Sequence, residues 1–170
     1  MQLRYYQEEA LGSLLDYFQA KPIDHNPLLV LPTAAGKTIV FSHLIKELSS
    51  SNNRFLILAH RQELVSQAKD KLLKVWPDAP VGVLAASLKS YDTDAPVLIA
   101  SKKRLDAIPG VDYIIIDEAH HIAPGPTTRY RKILNAMNEK KPCRVMGVTA
   151  TPYRMGQGYI YGDKLDHFFR

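Results

Sequence analysis

Four side chains in this 170-residue sequence are spaced for phosphate chemistry: Lys37 and Thr38 after one apolar run, Asp117 and Glu118 after another. Gly36-Lys37-Thr38 opens a helix and is reached through Pro32-Thr33-Ala34-Ala35. Successive backbone N–H groups and the helix N-terminus there would cradle an anion. Lys37 would neutralise β- and γ-phosphate oxygens, and the Thr38 hydroxyl would ligate Mg²⁺. The match departs from the full G-x-x-x-x-G-K-[ST] pattern, because Leu31 occupies the first glycine position and Ala34 and Ala35 leave less freedom for positive φ. Taken alone, it also fits a helix opened by a glycine with a lysine at the surface. Ile114-Ile115-Ile116 runs into Asp117-Glu118. Asp117 can hold Mg²⁺ through its water shell while Glu118 orients and deprotonates an attacking water. That pair alone fits a strand meeting solvent. With Lys37 at another strand end, the two motifs make the halves of a phosphoanhydride hydrolase.

Such residues need a scaffold that brings strand ends together. Leu11, Leu14, Leu15 and Phe18 recur at helical spacing, so residues 5–20 read as an amphipathic helix closed by Lys21-Pro22. A strand is expected at 28–32, a helix opening near Gly36 and carrying Val40, Phe41, Leu44, Ile45 and Leu48, then a strand at 54–60. Leu64, Val65, Ala68, Leu72, Leu73 and Trp76 mark the next helix. Apolar runs follow at 81–85, 96–100, 114–117 and 143–150, with a helix of about 127–138 before the last. The runs lack inside/outside alternation, as strands covered on both faces do. Strands alternating with helices predict a three-layer α/β domain with a mainly parallel sheet, whose ligands sit at the carboxyl ends of the strands. With no repeat or low-complexity linker, residues 1–170 parse as one domain.

The motifs, in this order, resemble those of superfamily 2 helicases. Asp117-Glu118-Ala119-His120 is the DEAH form of motif II, and Pro32 to Thr38 looks like motif I, with Ala34 in place of the customary glycine. Arg4-Tyr5-Tyr6-Gln7 is similar to the adenine-recognition element, Ala59 to Leu64 with Gln67 resembles motif Ia, and Thr149-Ala150-Thr151 resembles motif III. Thr149-Ala150-Thr151-Pro152-Tyr153-Arg154 and the glycines after it look most like the bacterial RadD (YejH) group, and in part like XPB-type helicases and the motors of type I and III restriction enzymes.

The resemblance implies a RecA-like P-loop NTPase fold and ATP with Mg²⁺. It implies that Arg4 and Gln7 read the adenine edge and that Pro32, Thr33, Ala34, Ala35, Gly36, Lys37 and Thr38 hold the phosphates. It makes His120, Thr149 and Thr151 the link from phosphate state to the nucleic-acid surface, and Arg61 and Ser101 contacts to the phosphodiester backbone, although Ser-Lys-Lys-Arg-Leu departs from the usual motif Ib. Family members carry a second RecA-like domain that supplies arginine fingers. Residues 155–170 resemble none of its motifs, so this chain is expected to bind nucleotide weakly and turn over little by itself.

A net charge of +5 permits a polyanion partner without demanding one. With no apolar run of bilayer length and no apolar signal segment, an intracellular, cytoplasmic protein without a membrane partner is expected. Cys143, the lone cysteine, reads as a packed core thiol. His120-His121 does not make a zinc site, since adjacent histidines point apart and a spaced third ligand is missing; Mg²⁺ is favoured. The leading reading is the ATP-binding half of a helicase or translocase acting on DNA rather than RNA, in DNA repair. A restriction-enzyme motor, a nucleotide-gated nucleic-acid clamp and an RNA helicase remain alternatives, and a P-loop kinase would leave Asp117-Glu118 and Thr149-Ala150-Thr151 unexplained.

Overall fold

The computed structural model describes residues 3–23, 25–32, 36–50, 52–59, 62–85, 90–91, 95–101, 108–119, 129–154 and 158–159. Through them the chain runs α1 (Tyr5–Ala20), β1 (Leu28–Val30), α2 (Lys37–Ser49), β2 (Phe55–Ala59), α3 (Gln62–Val75), β3 (Val81–Ala85) and β4 (Ser90–Tyr91). It continues with β5 (Val97–Ser101), β6 (Tyr113–Asp117), α4 (Arg129–Lys140), β7 (Arg144–Thr149), β8 (Tyr153–Arg154) and β9 (Gly158–Tyr159). Seven strands join in the order β1-β7-β6-β2-β5-β3-β4, while β8 and β9 pair apart as an antiparallel ribbon. Among the described residues, only β4 runs antiparallel within the seven-stranded sheet.

The unbroken apolar runs are explained by two cores, one on each face of the sheet. Along β2, Phe55, Ile57 and Ala59 face one core, and Leu56 and Leu58 face the other. β5 divides the same way, Val97 and Ile99 against Leu98 and Ala100. The first core is closed by Leu14 and Phe18 of α1, Phe41, Leu44 and Ile45 of α2, and Val65 and Leu72 of α3. The second is closed by Leu134 and Met137 of α4 with Cys143. Both faces are therefore covered, as a mainly parallel sheet requires, and the expected three layers are present. Cys143 is the buried thiol anticipated; burial, reinforced by the nearby Asp112 charge, pushes it up to about 11, so it stays protonated at neutral pH.

Three details differ from expectation. β1 ends at Val30 rather than at residue 32. Leu31 donates one more bond, to the Thr149 carbonyl at 3.1 Å, and Pro32 then has no N–H to continue the ladder. The other two are β4 and the β8–β9 ribbon, two-residue strands too short to leave an apolar pattern.

The strand order sets the site. β1 pairs with β7 through Val30 and Thr149, and β7 with β6 through Val148 and Asp117. The carboxyl ends of three strands distant in sequence thus lie side by side.

Candidate functional site

Gly36 is where the chain turns from β1 into α2. It sits at the N-cap of α2 with φ +76, a left-handed conformation that L side chains rarely adopt. A Cβ there would also lie 2.7 Å from Gln7 Nε2 and 3.3 Å from Ile39 Cδ1. The glycine is needed for both its backbone angle and its neighbours. Past this turn, Lys37 and Thr38 begin α2 buried, and the Ser42 hydroxyl donates 2.7 Å to the Thr38 carbonyl.

From the end of β6, Asp117 and Glu118 meet Lys37. Lys37 Nζ is hydrogen-bonded to Glu118 Oε1 and lies 3.6 Å from Asp117 Oδ1. Glu118 has φ +53, uncommon for a residue with a Cβ, and its N–H donates 2.9 Å to Asp117 Oδ1. Such a backbone costs on the order of 1–3 kcal/mol, and here it aims consecutive carboxylates at one ammonium. Burial raises the Asp117 carboxyl above its usual range; Lys37 pulls it back, and the Glu118 charge pushes it up again. Both carboxylates are half-buried, and for Asp117 the help from Lys37 does not outweigh the cost of burial. The oxygen donors of Thr38 and Asp117 on one cavity suit Mg²⁺, a hard ion that keeps water and phosphate oxygens in its shell.

The cavity is about 400 Å³ and is lined by Gly36, Lys37 and Thr38, by Asp117 and Glu118, and by a wall from α3 that includes Gln67, Lys71 and Lys74. Gln67 belongs to the stretch resembling motif Ia. Lys71 and Lys74 were not singled out from sequence, where lysines in an amphipathic helix look like a solvated face.

On the other side of α2 lies α1, with Gln7 buried against Gly36 and accepting 2.9 Å from the Arg4 N–H through Oε1. The Arg4 side chain is exposed and reaches the Tyr6 hydroxyl at 3.3 Å. Gln7, expected with Arg4 to read adenine, therefore lies against the Gly36 turn. Thr149 is fully buried at the end of β7; its Oγ1 accepts 3.0 Å from the Thr151 N–H and lies 3.2 Å from the Thr151 carbonyl, while Thr151 is exposed. These two threonines form one small hydrogen-bonded turn beside Leu31. Pro32 is exposed after β1. Ser101, expected at the nucleic-acid surface, is buried at the end of β5 with Oγ closed off from solvent. Thr33, Ala34, Ala35, Arg61 and His120 lie outside the described residues.

Comparison with known proteins accords with this geometry. Residues 1–154 match the family described as type III restriction enzyme, res subunit. A Schizosaccharomyces pombe protein provisionally named mitochondrial ATP-dependent helicase irc3 is 33% identical over 172 residues, covering 95% of this chain and 28% of its own length. The chain thus spans little more than a quarter of that relative. Among solved structures, the Sulfolobus solfataricus SWI2/SNF2 ATPase core in complex with dsDNA superposes with a TM-score of 0.68 at 20% identity, over 89% of this chain and 32% of that one. A nuclease-deletion mutant of the Type ISP restriction-modification enzyme LlaGI, in complex with a DNA substrate mimic, gives 0.67 at 17% identity, over 98% and 19%. At such identities the two structures speak for a shared fold, the RecA-like one. Among the described residues no helix is long and apolar enough to cross a membrane.

Proposed function

The chain belongs to the type III restriction enzyme res-subunit family, superfamily 2 helicase domains of RecA-like fold, and we propose that it binds Mg-ATP and, with a second RecA-like domain, hydrolyses it to remodel DNA. The observation carrying this reading is the convergence of Lys37 on Asp117 and Glu118 at adjacent strand ends. Lys37 exchanges its carboxylate partners for the β- and γ-phosphate oxygens of an incoming nucleotide. Glu118, released from that ion pair, orients the attacking water and takes its proton. Thr38 and Asp117 would hold Mg²⁺, which would supply charge neutralisation at the phosphates. Gln7, already against Gly36, presents a donor and an acceptor to adenine.

DNA is favoured over RNA because the two structural neighbours described above hold DNA or its mimic. The restriction motor is the second reading, favoured by the family itself. We place the protein in a repair helicase of the DEAH type, and expect residues 1–170 alone to turn over slowly: an arginine finger from a second domain is worth about 10³–10⁵ in rate in comparable phosphoryl-transfer enzymes.

The test is steady-state ATP hydrolysis by the complete polypeptide, offered single-stranded DNA, forked duplex DNA and single-stranded RNA at fixed salt. Stimulation by DNA is the expected result. Stimulation by RNA alone moves the protein to RNA remodelling, and hydrolysis by residues 1–170 at the rate of the complete polypeptide refutes the need for a second domain.

A further inference from the structure

The cavity beside Asp117 and Glu118 reaches from the start of α2 to α3. Its far wall is α3, where Gln67, Lys71 and Lys74 lie along one side of the helix over about 10 Å. α2 packs between α1 and α3. Gln7 touches Gly36 from the α1 side, and the cavity opens from Gly36, Lys37 and Thr38 on the α3 side. A nucleotide whose base rests at Gln7 and whose phosphates reach Lys37 therefore points its terminal phosphate at α3. Water attack there breaks the bond from the terminal phosphorus to the bridging oxygen, giving a nucleoside diphosphate, inorganic phosphate and one proton.

The cavity that receives the new anion is lined by Asp117 and Glu118 together with Lys37, and by two further ammonium groups, Lys71 and Lys74, on α3. Resting on the ATPase reading above, we infer that Lys71 and Lys74 form a second phosphate site, which takes inorganic phosphate as it leaves the acid pair and conducts it out along α3. The like charges of Asp117 and Glu118 disfavour its staying, and the lysines lower its energy outside. A volume of about 400 Å³ suits a small hydrated anion, and its continuity with the acid pair favours a reaction product over a nucleic-acid strand.

Two measurements test this. In the first, amide spectra of residues 1–170 are recorded with sodium phosphate against sodium chloride at equal ionic strength. Shifts are expected at Gly36 to Thr38 and also at Gln67 to Lys74, with the α3 response lost in the exposed double variant Lys71→Gln/Lys74→Gln and kept in Lys69→Gln. Shifts confined to Gly36–Thr38, or an α3 response to a single-stranded oligonucleotide with none to phosphate, overturn the inference. Absence of a phosphate response at Gly36–Thr38 would instead count against the ATPase reading itself. In the second, the complete polypeptide is followed in single turnover by quenched cleavage and by a fluorescent phosphate-binding reporter. The ratio of release rate to cleavage rate should fall about five-fold in the double variant, as expected for loss of two nearby charges, and hold in Lys69→Gln. An unchanged ratio in the double variant rejects the exit route.

Discussion

Asp112 and Asp117 stand at opposite ends of β6, and their surroundings treat the same side chain in opposite ways. Asp112 accepts 2.7 Å from the Arg54 N–H and 2.7 Å from Lys141 Nζ. Burial alone would raise its carboxyl, but the Lys141 bond, the Arg54 N–H and the charges of both residues outweigh that and hold it below the usual range. Nearby, the Arg144 guanidinium donates 2.7 Å to the Lys21 carbonyl and stacks 5.4 Å over Phe18, and Lys140 donates 2.7 Å to the Ile108 carbonyl. Asp117 instead shares one lysine with Glu118, and burial raises it. The amino-terminal end of the sheet thus commits its charges to the fold, whereas at the carboxyl end burial outweighs the help that Lys37 gives Asp117. An ionisable group whose partners are all internal serves stability; one left under-compensated serves binding.

The largest effect should come from Glu118→Gln in the complete polypeptide. Loss of a general base costs about 10²–10⁴ in turnover, whereas ATP binding, read by calorimetry, should persist. Next, Lys37→Ala should weaken ATP binding to residues 1–170 by about 10- to 100-fold, the worth of one charge-assisted phosphate contact. Unaltered affinity in that titration would remove Lys37 from the site. Gly36→Ala forces a side chain into the left-handed region and against Gln7; unfolding by urea should show a loss of about 1–2 kcal/mol.

The two aspartates should then part in sign. Asp112→Asn is expected to lower stability by about 1 kcal/mol, through loss of its charged partners, while Asp117→Asn should leave it unchanged or raise it. The sign extends to pH. Asp112, with its folded value depressed, contributes stability present above the ordinary carboxylate value and lost as pH falls through the folded one. Asp117, with its folded value raised, imposes a cost that is absent below the ordinary value, grows as pH rises through the folded one and is complete above it. Denaturation curves for both variants between about pH 3 and 7, the span around ordinary carboxylate values, would expose equal slopes if the contrast is false.

How legible these features were in the sequence follows from their range. Lys37 and Asp117-Glu118 could be read because each motif is local and ends an apolar run; that they touch follows only from the strand order β1-β7-β6. The strands of both cores could be read because side chains buried on both faces give runs such as Phe55 to Ala59. β4, β8 and β9 could not, since two residues hold no period. The Arg54–Asp112–Lys141 cluster joins residues far apart with no motif between them. The left-handed backbone of Glu118 was equally hidden, because no glycine or asparagine marks it. Lys71 and Lys74 look in sequence like any exposed lysines, and only the cavity they line sets them apart.

Finally, the two halves of the site hang from strands of unequal stiffness. The segment proposed to bind phosphate follows β1, which is three residues long, is paired on one side only among the described residues and leaves Val30 43% exposed, whereas Asp117 and Glu118 end β6, which is paired on both sides. A pull on the loop is resisted by a single ladder; the same pull on Asp117 is shared by two. Mechanical work drawn from phosphate binding would therefore be stored first as displacement of the sheet's compliant edge, with β6 as the fixed abutment against which that displacement is measured.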